Sequence, residues 1–228
     1  MLRKTLAYFV LWLLFQLLTK INGQTTPFIP RHRYFHTATF IDNNLYILGG
    51  LDADEIPYID ESVGKEFFYL DFSAEFDIQN LSWKNLSNIN TVPSHLGATS
   101  VKSGTNNNTL FLFGGLRIGD ERLELIYTFD PQNYTWSTPK TTGIYNIKKS
   151  DSMGISDYNG KIYLWGGRRV DGQYVNDMQI LDTKNLSWGR GNSVGAPTPR
   201  ILYGAVLLPD NKIGYMGKQV ILVMIIFL

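Results

Sequence analysis

The sequence predicts an all-β protein, a β-propeller built from repeated blades. A seven-residue phrase, Asp-x-x-Asn-x-Ser/Thr-Trp, occurs three times and ends at Trp83, Trp136 and Trp188. Three apolar runs each end in a glycine pair, and the chain after its N-terminal region shows no sustained helical periodicity. Self-similarity at a period of about 50 residues indicates units that cannot bury their apolar faces alone and therefore pack side by side.

The runs before the glycine pairs are the clearest predicted strands. They occupy residues 45–48, 110–113 and 162–165 and consist of β-branched, aromatic and aliphatic residues. Glycine at the end of a strand permits a positive φ or a close approach of another backbone. We therefore assign blade-forming roles to the glycines and to the repeated indoles: Gly49, Gly50, Gly114, Gly115, Gly166, Gly167, Trp83, Trp136 and Trp188.

The other strands of each unit are predicted from their positions in the repeat. The first strand contains an Ala residue or a Gly-Ala pair, and the second is the run that ends in the glycine pair. The third strand precedes the Asp of the repeated phrase, and the fourth starts near its Trp. Four short antiparallel strands per unit make one propeller blade. The predicted blades lie at roughly residues 33–88, 93–140 and 150–192, with an incomplete fourth at 199–217.

Composition excludes several classes of protein. The chain has 228 residues, 44% of them hydrophobic, which is enough for one sizeable core. Its formal net charge is +1, so no basic field exists to bind a phosphate backbone, and we expect no nucleic-acid partner. The chain contains no cysteine, which excludes disulfides and thiolate chemistry.

Both ends of the chain carry apolar segments. Residues 1–23 have the charge pattern and short apolar run of a secretory signal peptide, which predicts a secreted propeller over residues 24–217 with no membrane span in the mature chain. An uncleaved anchor, giving a membrane-tethered surface protein, is the alternative. The apolar tail at residues 218–228 is too short to cross a bilayer. This tail has three interpretations. It is a strand that completes a blade, a tail that contacts lipid, or a chain end that does not belong to the native protein.

The glycine pairs, the aromatic-x-x-Asp step and the spaced tryptophans together resemble the kelch repeat over residues 33–217. Tyr127 matches the tyrosine of that pattern, whereas Ile180 departs from it. The resemblance implies a ring with more blades than the three and a fragment present here. Because each blade is stabilised by its neighbours, open sheet faces would remain, and self-association is a possible consequence.

Galactose oxidase shares the kelch-type propeller, and the resemblance therefore raises the alternative of a copper-dependent or other carbohydrate-active enzyme. Its copper site uses a tyrosine cross-linked to a cysteine, and this chain has no cysteine. The three histidines are His32, His36 and His95, and an extended strand holds the first two too far apart to share one metal ion. We therefore predict no enzyme, cofactor or metal, and a binding scaffold instead.

Two groups of polar residues are candidates for recognition or modification. Loops on a rigid scaffold commonly carry binding residues, and the segments after the glycine pairs contain arginines suited to a protein or glycan partner: Arg117, Arg122, Arg168 and Arg169. Five asparagines head N-glycosylation sequons, although Asp and Asn in the repeated phrase also favour tight turns: Asn80, Asn85, Asn107, Asn133 and Asn185.

Overall fold

A computed structural model of the chain describes residues 27–54, 63–73, 75, 77–117, 124–143, 148–192, 194–217 and 224–227. The predicted signal peptide and Arg122 lie outside these residues. Within them, the single helical element is a 3-10 turn at Ser87–Ile89. The strands are Arg33–Tyr34 (β1), Thr37–Ile41 (β2), Asn44–Leu48 (β3), Leu51–Asp52 (β4), Phe67–Asp71 (β5), Trp83–Asn85 (β6), His95–Leu96 (β7), Thr99–Ser103 (β8), Thr109–Phe113 (β9), Leu116–Arg117 (β10), Ile126–Asp130 (β11), Thr135–Ser137 (β12), Thr142–Gly143 (β13), Lys149–Ser150 (β14), Met153–Ser156 (β15), Lys161–Trp165 (β16), Arg168–Arg169 (β17), Met178–Asp182 (β18), Ser187–Arg190 (β19), Gly204–Leu207 (β20), Lys212–Met216 (β21) and Met224–Phe227 (β22).

The larger strands form consecutive antiparallel sheets, as the sequence predicted. The first sheet has the order β2-β3-β5-β6, the second β8-β9-β11-β12 and the third β15-β16-β18-β19, with β13 added parallel to β19. The fourth sheet has the order β20-β21-β22, so the described part of the apolar tail supplies its third strand. The all-β fold of antiparallel blades is therefore confirmed. We call the four sheets blades 1 to 4.

The first strands of the blades lie side by side around a common axis. Strand β2 lies next to β8, β8 next to β15, and β15 next to β20. The turns from first to second and from third to fourth strand share one face, which we call the hairpin face. The glycine pairs and the entries to the first strands share the opposite face, which we call the glycine face. The two faces are distinct because neighbouring strands of an antiparallel sheet run in opposite directions, so successive connections between strands lie at opposite ends of the sheet.

The core lies between the blades. A cluster that includes Phe67 of blade 1 and Phe129 of blade 2 also contacts Trp136, whose ring centre is 5.3 Å from that of Phe67. Between blades 2 and 3, the buried Trp188 packs edge-on against Phe113 at 5.8 Å. The repeated indoles of blades 2 and 3 thus pack against the preceding blade, where they contribute large apolar areas to the junction.

The remaining junction and the remaining indole differ from this pattern. Between blades 3 and 4 the core contains Trp165, Tyr203 and Tyr215. The indole of Trp83 packs on Phe68 of its own blade at 5.5 Å. No described blade precedes blade 1, so Trp83 has no equivalent junction to fill.

Candidate functional site

Three short ladders form the glycine face, one at each glycine pair. Strand β1 pairs with β4, β7 with β10 and β14 with β17, all antiparallel. In each ladder, the residue four positions before the first strand of the blade lies opposite the second residue after the glycine pair. These pairs are Arg33 with Asp52, His95 with Arg117, and Lys149 with Arg169. Polar side chains thus recur at equivalent places on one rigid face.

The glycine pairs join each blade to the next. The second glycine donates its backbone N–H to a carbonyl of the following blade: Gly50 to His95 at 3.0 Å, Gly115 to Lys149 at 2.8 Å, and Gly167 to Arg200 at 3.0 Å. Gly114 shows why the first position is glycine. Its φ is +61°, and a Cβ built there would lie 2.0 Å from the Lys149 carbonyl oxygen. Both the conformation and the close approach therefore require glycine.

A chain of backbone hydrogen bonds crosses the glycine face close to the axis. Gly97 donates to the Phe35 carbonyl at 2.9 Å, and Asp151 donates to the Gly97 carbonyl at 2.7 Å. These residues, together with Leu202 of blade 4, stand two positions before their first strands, and all four have left-handed φ values between 51° and 62°. Three of the four are not glycine, so the surrounding structure holds them in a conformation that costs free energy.

Among the described residues, the ladders of blades 1 and 3 each contain an ion pair between a buried cation and a partly exposed carboxylate. The guanidinium of Arg33 lies 3.0 Å from Glu66 and also donates to the Gly49 carbonyl at 2.9 Å. The ammonium of Lys149 lies 2.8 Å from Asp177. Burial lowers the pKa of Lys149, and the hydrogen bond and charge of Asp177 oppose that shift. Each carboxylate comes directly before the third strand of its blade.

Blade 2 replaces this ion pair with a neutral arrangement. His95 occupies the cation position, and Leu125 stands where the other blades have the carboxylate. His95 is buried, and its Nδ1 donates to the Pro93 carbonyl at 2.8 Å. Its Nε2 is buried with no hydrogen-bond partner among the described residues. Burial lowers the pKa of His95, which keeps the imidazole neutral.

The structure brings most of the predicted rim arginines onto the glycine face. Arg168 and Arg169 lie on β17, and Arg117 lies on the equivalent strand β10. The Arg168 guanidinium is 3.6 Å from the buried carboxylate of Asp151, whereas Arg169 is 3.6 Å from Asp171 at the surface. The partner-binding role of these arginines stays a prediction.

The five sequon asparagines are all exposed. In the repeated phrase, the side-chain amide of Asn133 donates to Asp130 at 2.7 Å, and that of Asn185 donates to Asp182 at 3.0 Å. The residue after each of these two asparagines has a left-handed φ, close to 50°. These contacts explain the repeated Asp and Asn as turn formers. Glycosylation stays a prediction.

Sequence reasoning missed a second candidate site, an axial cavity of about 500 Å³. The first strands of all four blades and the hairpins after β8 and β15 line it. Its lining includes Ser100, Lys102, Ser156 and Lys184, which are scattered over 85 positions of the sequence. Alternation along β8 was the available signal, because Ser100 and Lys102 share one side of that strand.

Two kinds of feature are absent from the described part of the chain. Among those residues, no three His, Asp or Glu side chains are grouped so that they could hold a metal ion. None of the helical structure described there is long and apolar enough to cross a membrane.

Comparison with known proteins identifies the family. The KLHDC2/KLHL20/DRC7 Kelch-repeats domain matches residues 64–221. The chain belongs to the kelch-repeat family. The solved structure titled "Structure of YjhT" shares its fold, with a TM-score of 0.58 and 15% identity over 83% of this chain and 58% of that one.

Curated relatives are similar over part of their own length. Acyl-CoA-binding domain-containing protein 6 of Oryza sativa subsp. japonica is 25% identical over 86% of this kelch-repeat chain and 28% of the relative. Kelch domain-containing protein 3 of Rattus norvegicus is 28% identical over 48% of this chain and 29% of the relative. The Rab9 effector protein with kelch motifs of Xenopus laevis is 22% identical over 78% of this chain and 47% of the relative. The chain therefore spans between about a quarter and a half of the length of these relatives.

Proposed function

We propose that this kelch-repeat protein is a secreted, non-catalytic scaffold that binds a protein partner through its glycine face. The observation that carries the proposal is the set of left-handed residues around the axis. Phe35 and Leu202 keep 40% and 68% of their surface exposed, although both are held in a conformation that costs free energy. Strain of this kind is concentrated at binding and catalytic sites.

The chemistry around these two residues suits a protein partner. Tyr34 packs against Phe35, with ring centres 5.2 Å apart. Arg168 and Arg169 lie on the ladder of blade 3, which is joined to Arg200 of blade 4 close to Leu202. Aromatic residues and arginine are enriched at protein interfaces, where they supply most of the binding free energy. One relative, the Rab9 effector protein with kelch motifs of Xenopus laevis, is named as an effector of Rab9, which supports a role in recognition for this chain.

A display library of extracellular protein domains, selected against the purified chain, tests the proposal. We expect binders whose affinity falls at least about tenfold on Arg169→Glu, since a charge reversal at an interface opposes the partner. The matched control is Lys161→Glu, because Lys161 is exposed at the hairpin face. Binders that respond to Lys161→Glu and ignore Arg169→Glu would place recognition on the other face. A parallel glycan array distinguishes a glycan ligand from a protein.

Secretion is a separate part of the proposal and has its own test. Expression in a eukaryotic cell and N-terminal sequencing of the protein in the medium should give a chain that begins at Gln24. A chain that retains Met1 in the membrane fraction contradicts secretion and supports the membrane-tethered alternative.

A further inference from the structure

The axial cavity lies at the hairpin face, away from the surface proposed to bind a partner. Its volume of about 500 Å³ is in the range of small-molecule sites. Residues from all four first strands line it, among them Thr39, Ser100, Ile155 and Leu207. Gly104 follows β8 and Gly160 precedes β16 in the hairpins at its mouth, with φ values of +93° and +82°, a backbone conformation that favours glycine.

The charges of the lining are not balanced. Lys102 is half-buried in the wall, and Lys184 is exposed at the mouth. Within the described residues, neither lysine side chain forms an ion pair. The carboxylate of Asp157 is already engaged, because it accepts hydrogen bonds from the backbone of Asn159 and Lys161 at 2.9 and 2.8 Å. The hydroxyl of Tyr163 adds a third bond to Asp157 at 3.2 Å. The cavity therefore offers two unpaired cations and a carboxylate that is already satisfied.

Hydroxyl groups supply hydrogen-bond donors beside these cations. Thr39 and Ser100 bond to each other at 2.5 Å across the junction of blades 1 and 2. Two hydroxyls carry two hydrogens, and one bond between them uses only one, so the second can serve a ligand. By contrast, Ser156 of the lining bonds to the buried Ser103 at 2.8 Å and donates onward to a carbonyl, so its hydroxyl is already engaged.

Two exposed aromatic residues, Phe40 and Tyr158, also belong to the lining. Phe40 is 51% exposed, and alternation along β2 places its ring on the side opposite to Thr39, where it packs edge-on against Phe72 at 5.9 Å between ring centres. Tyr158 is 75% exposed at the tip of the hairpin after β15. Aromatic faces in a polar pocket provide apolar contact for the carbon skeleton of a ligand and leave its polar groups to the hydroxyls and ammonium groups.

From these observations we propose that the axial cavity binds a small hydroxylated organic anion, with the size and charge of a sugar acid or a sugar phosphate. Lys102 and Lys184 bind its acidic group, the Thr39–Ser100 pair donates to a hydroxyl or carboxylate oxygen, and Tyr158 at the mouth contacts the carbon skeleton. The site lies on the opposite face from the proposed partner surface, so each proposal can fail without the other.

Isothermal titration calorimetry on the purified full chain tests the proposal with four probes. D-glucuronate and D-glucose 6-phosphate carry both hydroxyls and an anionic group and separate a carboxylate from a phosphate. D-glucose is the neutral control, and sulfate is the anion without hydroxyls. We expect saturable binding of glucuronate or glucose 6-phosphate, and binding of glucose and sulfate at least about tenfold weaker.

Variants connect this binding to the cavity. Lys102→Met keeps the length and apolar stem of the side chain but removes its charge, and we expect it to weaken binding of the anionic sugar at least about tenfold. The matched control is Lys140→Met, which changes an exposed lysine outside the cavity and should bind as the parent chain does. The proposal is overturned if neither sugar anion binds, if sulfate binds as tightly as they do, or if both variants have the same effect. Thermal unfolding of each variant verifies that it is folded.

Discussion

The position four residues before each first strand shows how its neighbours decide the chemistry of one side chain. Arg33 and Lys149 are buried there as cations, and each has a carboxylate at the residue before the third strand of its blade. In blade 2 that residue is Leu125, and the cation is replaced by the neutral His95. A buried charge without a partner is costly, so the two positions must change together.

This coupling predicts the effect of transplanting the arrangement of blade 2 into blade 3. Asp177→Leu should leave the buried Lys149 without its carboxylate and lower the free energy of unfolding by about 2 kcal/mol. This is less than the loss of about 3–5 kcal/mol for a fully buried pair, because Asp177 is 36% exposed. Adding Lys149→His should recover part of that loss, since a histidine can become neutral. Urea unfolding of both variants measures the effect. A double variant less stable than Asp177→Leu alone contradicts the coupling.

The buried His95 also predicts a dependence of stability on pH. Burial lowers the pKa of His95 below the ordinary value of 6.5, so the unfolded chain binds a proton first as the pH falls. The contribution of His95 to stability should be constant above about pH 6.5 and should decrease below it by up to about 1.4 kcal/mol per pH unit. His95→Asn, which keeps a donor for Pro93, should flatten the decrease between pH 6.5 and 5 in urea unfolding. An unchanged slope would show that His95 does not titrate on unfolding.

Gly114 allows the cost of a close approach to be separated from the cost of a positive φ. Gly114→Ala introduces both, and we expect it to lower the free energy of unfolding by about 3 kcal/mol or more. Gly172 has a φ of +84°, but no atom lies within 4 Å of the place that an alanine methyl group would occupy, so Gly172→Ala should cost only about 1 kcal/mol. Equal losses in urea unfolding would show that the contact with Lys149 is unimportant.

At the scale of the strand and hairpin, the repeated phrase combines two local functions. Its Asp and Asn close the turn between the third and fourth strands, as Asp182 and Asn185 do in blade 3. Its Trp then lies at or next to the first residue of the fourth strand and packs against the preceding blade, as Trp188 does against Phe113. The turn sets the register, and the register determines which blade the indole faces.

The second function predicts a large effect from a single truncation. Trp188 is 6% exposed between blades 2 and 3, and Trp188→Ala should lower the free energy of unfolding by about 3–4 kcal/mol through lost burial and the cavity left behind. Tyr158→Ala removes another large ring, but one that is 75% exposed, and should cost less than about 0.5 kcal/mol. Chemical unfolding of both variants gives the comparison. Similar losses would mean that the indole does not join the blades.

At the scale of the whole molecule, the outer flank of blade 4 differs from the equivalent surfaces of the other blades. Leu48, Phe113 and Trp165 precede the glycine position in blades 1 to 3 and are between 1% and 3% exposed. Met216 holds the same position in blade 4 and is 59% exposed, and Val206 on the neighbouring strand is 45% exposed. The face of the blade 4 sheet that carries Met216 is therefore exposed to solvent, whereas blades 1 to 3 bury the equivalent face against the next blade.

This open flank predicts that the purified chain self-associates. The exposed apolar side chains are of the kind that mark association surfaces, and sedimentation velocity should show a weight-average mass that rises with concentration. Met216→Lys should shift the chain toward the monomer, because it places a charge on the associating surface. Ile78→Lys changes an apolar side chain that is 76% exposed elsewhere and should leave the association unchanged. A chain that is monomeric at all concentrations contradicts this prediction.

Sequence alone was sufficient for the fold class and for the main strands, because local patterns encode them. The runs before the glycine pairs and the turn-forming phrase predicted strands such as β9 and β11 within about one residue of their ends. The same patterns do not record which side chains meet across blades. The pairing of Lys149 with Asp177, the neutral state of His95 and the lining of the axial cavity depend on residues 28 or more positions apart, or on burial, and only the packing of blades around one axis brings them together.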